Sequence, residues 1–190
     1  MSHSSARSAR VVSVASGMQP TDRATPVRDG RHQALAVLIG NWINEGATVA
    51  TADVPSVPIR TSDVYEWVPG SFFVVHTAFG KIGDTSVGGV SIIGVDGDAY
   101  DDTFYDSFGN VHRSRLEIDG DMHRWIGVGG RTRCTVTMAD GGMTQIAHHE
   151  ASVDGVTWIP SIRGAAEVRL SRCYLFQPSV GLPRKSVSAR

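Results

Sequence analysis

Glycine-containing turns divide most of this chain into short segments rich in Val, Ile, Thr, Phe, Tyr and Trp. The turn sequences include VPGS, VDGD, FGN, DGD and ADGG. The segments recur roughly every 8–12 residues, a spacing typical of antiparallel sandwiches and barrels. Connections this short leave no room for crossover helices, so parallel βαβ units are excluded. About ten strands are predicted, and closure into an up-and-down barrel is expected because it removes both exposed edges.

Residues 31–174 are predicted to form this barrel domain, because a chain of 190 residues suits one domain with a full core better than two. Leu35, Leu38 and Ile39 have helical spacing, so a short helix is predicted to end near Gly40. The flanking segments are rich in Ser, Arg and Pro and show no periodicity. They are predicted to be a disordered leader, 1–30, and a flexible basic tail, 175–190.

The composition is that of an ordinary soluble protein, with a formal net charge of −1. No basic surface for nucleic acid is expected, and no apolar run approaches the roughly 20 residues of a membrane helix. Cys134 and Cys173 lack motif spacing and are interpreted as reduced thiols in the cytoplasm, with a single disulfide as the alternative. The sequence is compatible with a homodimer and does not determine the oligomeric state.

The hairpin TSDVYEWVPGSFFVVH contains the first candidate site residues. Pro69-Gly70 is a turn signal, and facing residues of a hairpin share one side of the sheet. The expected register puts Trp67 opposite Phe72 and Asp63 opposite His76, on an interior face with Tyr65. A carboxylate beside an imidazole fixes its tautomer and raises its pKa, so this pair is a candidate general base with its orienting group. The alternative is a buried polar pair that only satisfies itself.

The segment TQIAHHEAS contains two adjacent histidines. Consecutive strand residues point to opposite sides, so His148 and His149 cannot bind one metal from a regular strand. The hairpin turn at Asp140-Gly141 sets Met138 opposite Met143. It predicts that Gln145 and His149 face inward, while His148 and Glu150 lie outside. His149 is either a functional group or a hydrogen-bonded core histidine.

The segment YDSFGNVHRS is predicted to turn at Gly109-Asn110. This register places Tyr105 and Ser114 inside and the charged set, including Asp102, outside with Phe104. Tryptophans on other strands are also expected to face the interior. The aromatic side chains predicted to line it are Trp42, Tyr65, Trp67, Tyr105, Trp125 and Trp158.

The sequence LIGNWINEGA contains a Gly-x-Trp, Gly40 and Trp42, after a short helix. Together with YEWVPGSFFVVH, GVSIIGVDGD and YDSFGN, it resembles a bacterial calycin-like domain family of unassigned function. The resemblance covers most of residues 35–170. It implies a barrel similar in shape to lipocalins, fatty-acid-binding proteins and nitrobindins, with a central cavity. Nitrobindins bind haem through a histidine near the end of the barrel. The segment SIRGAAEVRL has none, so haem would need His76 or His149.

These features favour a module that binds a small, largely apolar molecule between aromatic walls, with His76, His149 and Gln145 as polar anchors. The alternative is a cofactor-independent enzyme, a cyclase, isomerase or lyase acting on an apolar metabolite. In that case His76 or His149 would move a proton, Asp63 would orient the imidazole and Tyr105 would donate. A haem protein is the third hypothesis. No metal or other cofactor is expected.

Overall fold

The computed structural model describes residues 26–163, and the backbone of these residues forms one closed antiparallel barrel. A short helix α1, Gly30–Ala34, continues into a 3₁₀ turn, Leu35–Leu38. The strands are β1 Gly40–Thr48, β2 Pro58–Trp67, β3 Phe73–Ile82, β4 Thr85–Asp96, β5 Ala99–Asp106, β6 Val111–Asp119, β7 Met122–Gly127, β8 Thr132–Ala139, β9 Thr144–Ala151 and β10 Ile159–Arg163. Each pairs with its neighbours in the chain, and β10 returns to β1. The prediction of a ten-stranded up-and-down barrel with a short preceding helix is confirmed.

The helical segment closes one end of the barrel. Leu35 and Leu38 are almost completely buried and pack in one cluster with Val74, Ile93 and Leu116 from the barrel wall. We call residues 30–38 the helical plug. Burying a leucine side chain contributes about 1.5–3 kcal/mol, so these contacts anchor the plug in the barrel. The helix begins with a capping box at Asp29, just before the predicted domain limit at residue 31. The limits at residues 174 and 175 lie outside the described residues.

The β2–β3 hairpin has the predicted faces but a different register. Tyr65 lies opposite His76, and Asp63 lies opposite Ala78. In the observed register Trp67 pairs with Val74, and the amide of Val68 donates to the carbonyl of Phe73, 2.9 Å, at the turn end of the ladder. The shift of two positions preserves the side to which each residue points, because side chains alternate with a period of two.

The β8–β9 hairpin shows the same behaviour. Met138 pairs with Gln145 rather than Met143, and Cys134 pairs with His149. The connection is a four-residue loop, 140–143, and Asp140 accepts a hydrogen bond from the Thr144 hydroxyl, 2.9 Å. Gln145 and His149 line the interior and His148 is exposed, as predicted, but Glu150, which was predicted outside, also contributes to the cavity wall.

The β5–β6 hairpin contradicts the prediction. Tyr105 lies on the outside and is 53% exposed, whereas Asp102 is buried and Phe104 lines the interior. The carboxylate of Asp106 accepts hydrogen bonds from the amides of Phe108, 2.9 Å, and Asn110, 2.8 Å. It thereby organises the connection. The last pair of the ladder is Tyr105 with Val111, so an odd number of residues, 106–110, separates the paired positions, and Gly109 adopts φ 86°. An odd connection in place of an even one exchanges the two faces of β5.

Candidate functional site

A cavity of about 570 Å³ occupies the half of the barrel opposite the helical plug. The residues that line its outer part come from strand ends remote from the helix and include Glu45, Ile59, Ile82, Arg133 and Ile162. Its deeper wall combines aromatic and aliphatic side chains with a band of polar ones. The polar band, as we use the term, consists of Asn44, Asp63, His76, Ser91, Asp102, Cys134 and His149. All but Ser91 line the cavity.

Asp63 and His76 meet in this band, although they are not directly opposite. His76 Nε2 lies 3.3 Å from Asp63 Oδ1, but the alignment does not form a hydrogen bond. The other carboxylate oxygen, Oδ2, accepts from Asn44 Nδ2 at 2.5 Å, and the same amide nitrogen donates to Thr61 Oγ1 at 3.0 Å. Asn44 on β1 therefore orients the Asp63 carboxylate, whose other oxygen faces the His76 imidazole on β3.

His76 is held from two further directions. Its Nδ1 lies 3.4 Å from the hydroxyl oxygen of Ser91, a fully buried residue. Its ring stacks on Tyr65 with centroids 4.1 Å apart and planes 3° from parallel. Burial raises the pKa of the Tyr65 phenol well above its usual value, and the carboxylates of Asp63 and Asp102 raise it further. The Tyr65 side chain is therefore uncharged where it stacks on the imidazole of His76.

Asp102 is the main site residue that the predicted register missed. It is only 9% exposed, lines the cavity, and its Oδ1 has no hydrogen-bond partner among the described residues. Burial raises the pKa of its carboxyl group, while Ser91, His76 and Trp125 partly offset that effect. The sequence did contain an indication, because Asp102 alternates with the aromatic residues Tyr100 and Phe104 on one face of the strand. The indication was ambiguous, because Asp101 places a carboxylate on the opposite face as well.

Cys134 and His149 form a second pair in the band, with Sγ 3.4 Å from Nε2. Burial raises the pKa of the Cys134 thiol to about 12. Burial also lowers the pKa of His149, and the neighbouring His148 lowers it further, although Asp63 acts in the opposite direction. A thiol that holds its proton beside a neutral imidazole is not an activated nucleophile. This pair supplies polar anchors rather than thiolate chemistry.

The structure divides the remaining predicted residues between the cavity and other locations. Trp125 and Gln145 line the cavity. Trp42 and Trp67 are packed in the core instead, and the Trp42 indole donates to the carbonyl of Leu38 at 3.0 Å. Trp158 precedes β10 and does not line the cavity; the Cζ atom of Arg133 lies over its ring, 4.1 Å from the centroid.

Trp125 lines the cavity, whereas the other three predicted tryptophans do not, for two reasons. Trp42 and Trp67 do point inward, but the helical plug fills the end of the barrel at which they lie. Trp158 belongs to a connection rather than to a regular strand, so alternation does not apply to it. Tyr105, the predicted proton donor, is excluded from the cavity by its exposed outer position.

No group of three or more His, Cys, Asp and Glu side chains within residues 26–163 is arranged to hold a metal ion. In the same range, no helix has the length and apolar character needed to cross a membrane. Cys173 and residues 164–170 of the segment SIRGAAEVRL lie outside the described part of the chain. No protein-family model matches this sequence, and no curated protein is significantly similar to it.

Proposed function

We propose that the protein is a small-molecule binding barrel whose ligand has an apolar body and a few polar groups. The observation that carries this proposal is the cavity of about 570 Å³ with a polar band at its base. Ligand sites are commonly clefts of about 300–1,000 Å³ that combine apolar walls with a small number of placed polar groups. Tyr65, Phe104 and Trp125 provide the aromatic walls here, and Gln145 and His149 are among the anchors.

The test uses a cavity-filling variant and a matched surface variant. N-phenyl-1-naphthylamine is an uncharged fluorescent probe that reports apolar pockets, and its titration gives a Kd. Ala147 lines the cavity, so Ala147→Trp should weaken the probe at least about 10-fold by occupying its volume. His148→Trp adds the same side chain to the exposed face of the same strand and should leave the Kd unchanged.

Two outcomes would contradict the binding proposal. One is the absence of saturable probe binding to the native protein. The other is an equal effect of the Ala147 and His148 substitutions, since only the first residue lines the cavity. Native mass spectrometry and an absorbance spectrum of the same preparation would identify a retained organic ligand. They would also reveal a haem bound through His76 or His149.

A second function is favoured by one arrangement: His76 lies between the Asp63 carboxylate, 3.3 Å, and the Ser91 hydroxyl, 3.4 Å. We propose as the alternative that His76 transfers a proton within a bound apolar metabolite, with Asp63 and Ser91 as positioning residues. Once a ligand is known, His76→Ala should abolish turnover with a modest change in Kd. An equal loss of binding and turnover would argue for binding alone.

Membership of the calycin-like family and a cytoplasmic location are part of the same proposal. The first is supported by the closed ten-stranded barrel with a plugging helix. The second is supported by the low cysteine content.

A further inference from the structure

We propose that the ligand of this cavity carries a protonated amine, which the carboxylates of Asp63 and Asp102 hold at the polar band. This inference rests on the proposed function and names the chemical class of its ligand. It follows from three features of the cavity: the balance of charge on its wall, an unpartnered buried oxygen, and the neutrality of Cys134 and His149 in the polar band.

The cavity wall has an excess of acidic side chains. Its described lining residues include four carboxylates, Glu45, Asp63, Asp102 and Glu150, but one guanidinium, Arg133. That guanidinium is already engaged, because Arg133 Nε donates to Glu150 Oε2 at 2.6 Å and its Cζ lies over the Trp158 ring. No unengaged Lys or Arg in the described lining is left to meet an anionic ligand. Carboxylic acids are therefore poor candidates.

Asp102 supplies the feature that points to a ligand donor. More than nine-tenths of the residue is buried, and its Oδ1 has no hydrogen-bond partner among the described residues. A buried polar atom without a partner destabilises the protein unless something else satisfies it. An ammonium group offers three N–H donors and a positive charge, and hydrogen bonds between ionised partners are the strongest of this type.

Both carboxylates lie near the same aromatic surface. Asp63 and Asp102 are each close enough to Tyr65 to raise the pKa of its phenol. His149 and Cys134 are kept neutral by burial and do not compensate the acids. Tyr65 and Trp125 line the cavity beside this position, and a cation gains further stabilisation from aromatic faces.

The test compares three probes with the same indole body and different head groups. Tryptamine carries an ammonium, tryptophol a hydroxyl and indole-3-acetate a carboxylate. Displacement of N-phenyl-1-naphthylamine from the native protein gives their affinities at pH 7. Tryptamine should bind at least about 10-fold more tightly than tryptophol, with indole-3-acetate weakest, as expected for a charge-assisted contact.

Variants locate the contact. Asp102→Asn should weaken tryptamine about 30-fold, because a hydrogen bond to a charged group is lost, and should change tryptophol by less than about threefold. Asp101→Asn removes the same charge from the exposed neighbouring position and is the matched control, with no change expected. If Asp102→Asn does not fold, Asp63→Asn and the native head-group series provide the same comparison.

Failure of this inference is distinguishable from failure of the binding proposal. Equal affinity for the three indoles, preferred binding of the acid, or no binding of tryptamine would each overturn the amine assignment. If N-phenyl-1-naphthylamine still binds, the proposed binding function stands. If that probe does not bind either, both are overturned. An equal loss of tryptamine affinity in the Asp101 and Asp102 variants would also overturn the assignment.

Discussion

His123 is a fully buried histidine, and both of its ring nitrogens lack hydrogen-bond partners within the described residues. It pairs with Ile118 on β6 and Val136 on β8, in an apolar part of the barrel. Burial lowers the pKa of this imidazole, and the Gly120 backbone and Asp121 offset only part of that effect. The folded protein therefore keeps His123 neutral at pH values at which the unfolded chain protonates it.

The sign and size of the consequence follow from proton linkage. An unfolded histidine titrates near pH 6.5, so below this pH the unfolded state binds one more proton than the folded state. The free energy of unfolding therefore decreases as the pH is lowered. The loss approaches about 1.4 kcal/mol per pH unit for one histidine until the folded-state pKa is reached. The pKa of His149 is also lowered by burial. Between pH 7.5 and 5.5 the two together should cost up to about 2.7 kcal/mol.

Replacing His123 with leucine should remove about half of this pH dependence. The substitution keeps a similar volume and eliminates two unsatisfied nitrogens, so stability at pH 7.5 should rise by about 1–3 kcal/mol. Urea unfolding followed by tryptophan fluorescence measures both quantities, and Trp125, with its ring 6.4 Å from that of His123, is a local reporter. His148→Leu is the control for removal of an exposed histidine. Because His148 lowers the pKa of His149, this variant should reduce the pH dependence only through that contact, and by less than His123→Leu does.

Proton linkage through His123 is contradicted if the stability of the His123→Leu protein decreases as steeply on acidification as that of the native protein. That outcome would mean that the imidazole is already protonated in the folded state, or that it never titrates over this range. A change in stability that is the same at every pH would report packing alone and would equally contradict the linkage argument.

Three further predictions concern the plug and the cavity base. Leu38→Ala should lower the free energy of unfolding in urea by about 2–5 kcal/mol, because the residue is 1% exposed; a loss below 1 kcal/mol would show that the plug is loosely packed. Trp42→Phe should cost about 1 kcal/mol, since the hydrogen bond to the Leu38 carbonyl is lost, and an unchanged urea midpoint would contradict its contribution. Burial raises the pKa of Asp102, so its ionised form is penalised in the folded state and stability falls as pH rises above the usual carboxyl value. Asp102→Asn should therefore increase stability at pH 7 and lose that advantage near pH 3; a lower thermal midpoint at pH 7 would contradict this.

Two hairpins show how far alternation alone reaches. Tyr65 and His76, and likewise Cys134 and His149, were placed on the correct inner faces although both registers are shifted by two positions. An even shift leaves the side-chain direction unchanged, so the inner face survives an error in loop length. It does not preserve partners, and the Asp63–His76 contact is diagonal rather than directly across the strands.

The β5–β6 hairpin shows the limit of the method. The side-chain hydrogen bonds of Asp106 give the connection an odd length, and that single difference moves Asp102 inward and Tyr105 outward. The predicted turn dipeptide was close to the true turn. The local hydrogen bonds that select the loop length are not encoded by alternation.

The ten-stranded antiparallel architecture follows from local sequence patterns, because turn spacing and a period of two specify antiparallel strands and closure removes their edges. Which inward-facing residues surround open space follows from the folded barrel and not from those patterns. The helical plug fills one end of the barrel and takes Trp42 and Trp67 into the core. The other end keeps the cavity, and Asp63 and Asp102 both line it. Whether an inward side chain is packed in the core or lines a pocket depends on the positions of residues distant in sequence, and local periodicity does not specify those positions.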